Sequence, residues 1–260
     1  MHDDLTVGAA DPQGVRTVIV TGGTKGIGLD IVTAFHANGD RVFALARNRP
    51  DEGTLPLGVE FVRCDVTDPA AQHQAVSGIC ADTGRLDVFV NNAGRSAWRP
   101  IEQIDEDFLE EMLAVNLKSA FWGSRAAAAH LSTGGVILNI SSLAGKRGSA
   151  NNAAYVAAKF GMNGLTQSLA KELGPRGIRV NALCPVLVET PGLRAALEAE
   201  DSPAAGSPDA FLARFAADQS ALRRLPLGRE VADVAVTICS DASSAITGQC
   251  LNVDCGVLPQ

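Results

Sequence analysis

Tyr155 and Lys159 stand four positions apart in Tyr155-Val156-Ala157-Ala158-Lys159, a stretch that reads as helix. That spacing puts both side chains on one face, one turn apart. A free phenol has a pKa of about 10 and is a poor base at neutral pH, but a neighbouring ammonium favours the phenolate. Such a pair can donate a proton to a carbonyl being reduced, or take one from an alcohol being oxidised. Tyr155 is the single tyrosine among 260 residues, so any phenol chemistry rests on it. Taken alone, the spacing suits a core tyrosine beside a surface lysine equally well. Ser142 lies thirteen positions earlier, just past the apolar run Val136-Ile137-Leu138-Asn139-Ile140. A hydroxyl at a strand end can hydrogen-bond a carbonyl oxygen.

A second feature is Thr21-Gly22-Gly23-Thr24-Lys25-Gly26-Ile27-Gly28, between the apolar run Val18–Val20 and a helix-like stretch reaching about Asn38. Glycines in a strand-to-helix turn let backbone approach a pyrophosphate, and the helix N-terminus adds N–H groups and positive dipole. The spacing GxxxGxG is not the GxGxxG form. Gly23 to Gly28 has the glycine spacing of a nucleoside-triphosphate loop, but Leu29-Asp30 replaces its Lys-Ser/Thr. The second strand ends in Ala46-Arg47-Asn48, where a carboxylate would hold a ribose 2′-hydroxyl. With Arg47 and Lys25 there instead, a 2′-phosphate is better matched, and NADP(H) is expected over NAD(H). The plainer alternative is two solvated surface cations.

Short continuous apolar runs alternate with longer amphipathic segments. Strands are predicted at 18–20, 42–46, 59–64, 88–90, 136–140, 179–183 and 251–253. Helices are predicted from Gly28 to Asn38, from the cap Asp68 to Asp82, from Asp105 to His130, and from Asn152 to Leu173. This order implies one α/β domain, a doubly wound parallel sheet of about seven strands, Rossmann-like, with helices on both faces. Residues 1–14 are expected to be disordered, and 191–224, rich in Ala, Asp, Glu, Pro and Ser, to form a substrate lid. In such a sheet ligands sit beyond the carboxyl ends of the strands. The glycine turn, Asn91-Asn92-Ala93-Gly94 and Ser142 all fall on that edge.

The net charge of −7 argues against a nucleic-acid partner. With no basic start and no membrane-length apolar run, the expected location is the cytoplasm, without a membrane partner. The six cysteines lack metal-ligand spacing, so no metal is expected, and they read as small buried hydrophobes. No GxSxG elbow supports a serine hydrolase. Asn139-Ile140-Ser141 matches a glycosylation acceptor but lies in an apolar run.

Taken together, these residues resemble the short-chain dehydrogenase/reductase family, from about Thr17 to Gly256. The matching motifs are Thr21-Gly22 with Gly26-Ile27-Gly28, Asp65-Val66, Asn91-Asn92-Ala93-Gly94, Asn116, Ser142, and Tyr155 with Lys159. The resemblance implies Tyr155 as proton donor or acceptor and Lys159 as the group that lowers its pKa and holds the nicotinamide ribose. It implies Ser142 as the carbonyl-orienting hydroxyl and Asn116 as holder of a water relaying protons to Lys159. It implies a cofactor site of Gly22, Thr24, Lys25, Gly26, Ile27, Gly28, Arg47, Asn48, Asp65, Val66, Asn92, Ala93, Gly94, Tyr155, Lys159, Pro185, Val188 and Thr190. It also implies a homotetramer, or a dimer, built on the helices at 105–130 and 152–173. Pro185-Val186 departs from the family's Pro-Gly, so Val186 is expected to alter the nicotinamide pocket.

The expected activity is hydride transfer between NADP(H) and a small-molecule secondary alcohol or ketone. The alternatives are 3-oxoacyl-carrier-protein reduction, an NAD-dependent sugar or polyol dehydrogenase, and a catalytically silent dinucleotide sensor. Arg95, Trp98, Lys146, Arg147 and Asn152 flank the expected cleft as candidate substrate contacts or as ordinary loop residues.

Overall fold

A computed structural model describes residues 14–259; the disorder expected over 1–14 falls almost wholly outside them. Seven parallel strands form one sheet in the order β3-β2-β1-β4-β5-β6-β7. They are β1 (Thr17–Thr21), β2 (Arg41–Ala46), β3 (Glu60–Arg63), β4 (Leu86–Asn91), β5 (Leu131–Ile140), β6 (Arg179–Pro185) and β7 (Cys250–Val253). The chain winds outward from β1 to β3, then returns to lay β4 on the other side of β1, with Val18 opposite Val88 and Val20 opposite Val90. The reversal opens a crevice at the carboxyl ends of β1 and β4, where ligands of such sheets sit.

The continuous apolar strands are buried on both sides because helices cover both faces. Val18 and Val20 face α1 (Gly26–Ala37) and α8 (Gly228–Ile238), packing with Phe35 and Val231. Ile19 faces the opposite layer of α2 (Pro69–Thr83), α4 (Ser119–Ala128) and α5 (Ala153–Leu173), packing with Val76 and Ala127. Local chemistry sets the helix ends. Asp68 caps α2 by accepting from Ala70 N and Ala71 N, with Pro69 at the first helical position. Gly84 closes α2 in the left-handed conformation.

Three elements differ from the sequence expectation. The helix expected over 105–130 is α3 (Glu106–Leu113) and α4 joined by a π-helical turn, Ala114–Lys118. There the Asn116 amide donates to the Met112 carbonyl one turn back, so a polar side chain competes with the backbone ladder. Helix α1 begins at Gly26, not Gly28. Helix α8 was not anticipated. Its buried Val231, Ala232, Ala235 and Ile238 follow helical spacing, and Glu230 in the first turn accepts from Leu227 N, so both signals were present. The region 191–224 holds α6 (Pro191–Leu197) and α7 (Pro208–Gln219) around a small apolar cluster. Among the described residues no helix is long and apolar enough to cross a membrane.

Candidate active site

The turn after β1 and the end of β4 are tied together. Asn92 Nδ2 donates to the carbonyls of Thr21 (2.9 Å) and Gly22 (3.2 Å), while Asn92 N and Ala93 N both donate to Thr21 Oγ1. Gly28 packs directly beneath this knot: a Cβ there would overlap the Gly22 carbonyl and the Asn92 amide. Thr24 and Ile27 are partly exposed along the turn and Lys25 is exposed at the N-cap of α1. This bare backbone at a helix N-terminus, on the switch point of the sheet, fits a dinucleotide pyrophosphate.

Arg47 and Asn48 are exposed just past β2. Arg47 lies within electrostatic reach of Asp65, whose carboxyl is held below its usual range mainly by the Thr67 N–H, with help from the Thr67 hydroxyl and Arg47. Val66 is buried, and its carbonyl accepts from the Gln72 amide at 2.7 Å. Arg49, which sequence reading passed over, stacks on Phe61 at 5.0 Å on the same edge.

The proton-handling residues gather on the other side of β4. Ser142 Oγ accepts from Ala144 N at 3.1 Å, leaving its hydrogen free to donate, and the hydroxyl lies within electrostatic reach of Tyr155. The Tyr155 ring packs with Phe108, Met112 and Ala154. Lys159 is buried, and its ammonium donates to the Ile140 carbonyl at 2.9 Å while lying 5.7 Å from the Tyr155 ring centre. Burial dominates both groups. It pushes the Tyr155 phenol up, against the opposing pull of Ser142, and brings Lys159 down from 10.5 to about 8. For the phenol, burial sets the net direction and Ser142 pulls against it.

Burial of Lys159 makes stability depend on pH in a set direction. Below about pH 8 the folded chain carries a buried ammonium, whereas the unfolded chain keeps that proton up to about 10.5. Between those values the unfolded state binds more protons, so stability rises with pH. Urea titrations of wild type and Lys159→Met are expected to diverge in favour of wild type from about pH 8 to about pH 10. A difference that stays flat or falls over that window contradicts the buried ammonium.

Asn116 is fully buried, with its amide committed at both ends: Oδ1 accepts from Arg95 N, and Nδ2 donates to the Arg95 and Met112 carbonyls. A Cβ on Gly94 would meet Asn116 Oδ1 at 2.8 Å, so the loop passes this amide as bare backbone. Sequence reading missed the buried ladder behind the site. Asn91 bonds Ser124 and Asn139, and Asn139 bonds Thr166 on α5, at 2.9–3.0 Å. The signal was an asparagine inside each of two apolar strands. The same burial disposes of the glycosylation match at Asn139.

Pro185 ends β6 and Val188 is buried in the main core. Thr190 caps α6 by accepting from Leu193 N at 3.1 Å, and its methyl faces Gly26. Val186 packs with Leu143 and Val257, binding the segment after Ser142 to the C-terminal tail. Of the candidate substrate contacts, Trp98 is buried in the cluster of the 191–224 region and Arg95 pairs with Glu111. Lys146 lies within electrostatic reach of the Cys184 and Cys250 thiols. Arg147 is partly buried, and Asn152 is buried with its Oδ1 lacking a partner.

The family described as Enoyl-(Acyl carrier protein) reductase matches residues 22–258. The chain is 36% identical over 254 residues to an L-xylulose reductase of Bos taurus, covering 94% of this chain and 96% of that protein. Among solved structures, the ligand-free aldohexose dehydrogenase of Thermoplasma acidophilum is 30% identical with a TM-score of 0.86, covering 95% of this chain and 98% of that one. A variant of actinorhodin polyketide ketoreductase with NADPH is 30% identical with a TM-score of 0.84, covering 94% and 97%. The likeness runs through nearly the whole folded body. The protein belongs to the short-chain dehydrogenase/reductase family, NAD(P)-dependent oxidoreductases acting on alcohol and ketone groups.

Proposed function

We propose that the protein interconverts a secondary alcohol and a ketone with NADP(H), using Tyr155 as general acid and base. The observation that carries this reading is the grouping of Ser142, Tyr155 and buried Lys159 beside the bare turn at Gly22 and Gly28. When bound, the nicotinamide supplies or accepts the hydride. The chain's own residues manage orientation and the proton. The Ser142 hydroxyl, already fixed by Ala144 N, donates to the carbonyl oxygen. The Tyr155 hydroxyl delivers its proton to the same oxygen in reduction and recovers it in oxidation. Lys159 stabilises the phenolate left behind. Asn116, whose side-chain amide holds the backbone of Arg95 next to Gly94, holds the water that relays protons to Lys159.

The preference for NADP(H) rests on Arg47 and Lys25 and on the absence of a carboxylate at Ala46. Arg47→Asp is expected to lower kcat/KM with NADPH by about 10- to 100-fold, the scale of one charge-assisted phosphate contact, with little change for NADH. A wild-type enzyme that prefers NADH overturns this reading.

A free small substrate is favoured over an acyl group on a carrier protein. Arg95 and Arg99, which follow β4 in the chain, are paired with Glu111 and Asp105 and offer little to an acidic carrier. For the assembly, exposed Leu109, Phe121 and Phe160 on α3, α4 and α5 support a homotetramer or dimer joined through those helices.

A further inference from the structure

The dipeptide Trp98-Arg99 lies in the connection between β4 and α3, yet it touches three other parts of the molecule. The Trp98 indole is 8% exposed and is buried in the small core of the 191–224 region, among Leu197, Ala204 and Leu212. The Arg99 guanidinium sits 4.1 Å over the ring of Phe108, which in turn packs with Ala154 and Tyr155. The Arg99 N–H donates to the Asn151 carbonyl at 2.6 Å, on the loop that leads into α5. Asn151 completes the circuit, its side-chain amide donating to the Asp201 carbonyl at 3.2 Å. A continuous path of contacts therefore joins the helical excursion after β6 to the helix that carries Tyr155.

The ends of that excursion suit a segment that moves. It is bracketed by Leu187 (φ +38°) and Arg223 (φ +56°), two non-glycine residues in the left-handed region. That conformation is costly for a side chain with Cβ and persists only when surrounding packing holds it. The packing available to hold it is the cluster around Trp98, to which Leu187 itself contributes, together with the Val186 cluster.

We propose that Trp98 is a positioning residue for the reaction: it is the dock on which the 187–223 segment closes over the bound alcohol or ketone, and Arg99 and Asn151 couple that closure to the helix of Tyr155. The inference rests on the Tyr155-dependent reading above. The Trp98 indole packs with the 191–224 region, so its effect falls on substrate capture and not on cofactor binding.

The test uses the full chain with Trp98→Ala, Trp98→Phe and Asn151→Gly, the last chosen to keep the positive φ while removing the amide. Trp98→Ala is expected to raise KM for the ketone about tenfold, with kcat changed less than about threefold. NADPH affinity, followed by its own fluorescence, stays at the wild-type value. Trp98→Phe restores most of the loss, and Asn151→Gly shows a smaller rise in KM. Tryptic cleavage at Arg194 and Arg214 is expected to quicken in Trp98→Ala, a readout that needs no turnover. In a Trp122→Phe background Trp98 is the only indole, and acrylamide quenching of it is expected to fall when substrate joins the NADPH complex. Unchanged KM and unchanged cleavage in Trp98→Ala overturn the proposal, as does a parallel loss of kcat, KM and NADPH binding that Phe does not rescue. Full activity of Tyr155→Phe would instead overturn the reading on which it rests, and the cleavage rates would still decide whether Trp98 holds the segment.

Discussion

Tyr155→Phe is expected to lower kcat for ketone reduction by about 10²- to 10⁴-fold, the range of a positioned general acid, while leaving the fold and NADPH affinity intact. The ring itself is structural, packed with Phe108, Met112 and Ala154, and phenylalanine keeps all of those contacts. Only the hydroxyl goes, and with it the group that Ser142 faces. Because it is the chain's single tyrosine, its ionisation can be read by near-ultraviolet phenolate absorbance without background. In the cofactor-free protein that step is expected above the ordinary phenol value, since burial opposes the anion. The step vanishes in Tyr155→Phe. A phenylalanine variant that turns over at the wild-type rate would falsify the proton-transfer role, whatever the absorbance shows.

Gly28→Ala carries the second large effect, through the cofactor rather than the proton. One added methyl at Gly28 would overlap both the Gly22 carbonyl and the Asn92 amide. Neither can yield cheaply. Gly22 is backbone in the left-handed region (φ +65°), donating to Leu45 O at 2.7 Å, and Asn92 is fixed by its bonds to Thr21 and Gly22. The turn must therefore open, and its N–H groups lose the geometry that receives a pyrophosphate. We expect NADPH affinity to fall by about 100-fold or more, because several N–H contacts are lost together, with a loss of stability of about 1–3 kcal/mol from overpacking. Isothermal titration with NADPH and a urea melt measure the two effects. Wild-type affinity in a folded Gly28→Ala protein would rule out this turn as the pyrophosphate site.

Both residues stand out in the amino-acid sequence because their chemistry is local. A tyrosine and a lysine one helical turn apart, and glycines between an apolar run and a helix, are constrained by neighbours within eight positions. The seven strands are legible for a similar reason: a strand buried on both faces must be apolar throughout. Helix α8 obeyed its own spacing rule and still escaped notice, although Pro226 and Glu230 mark its start.

What the sequence by itself determined was the inventory of the site and the edge of the sheet on which it lies, because short-range spacing and strand order decide both. Which residue touches which was decided only by the tertiary structure. It put the Trp98 indole in the cluster of the 191–224 region and gave both ends of the Asn116 amide to the backbone. It also buried Lys159, which brings its ammonium down to about 8. Desolvation and long-range contact depend on the whole packed environment, and no spacing along a chain encodes them.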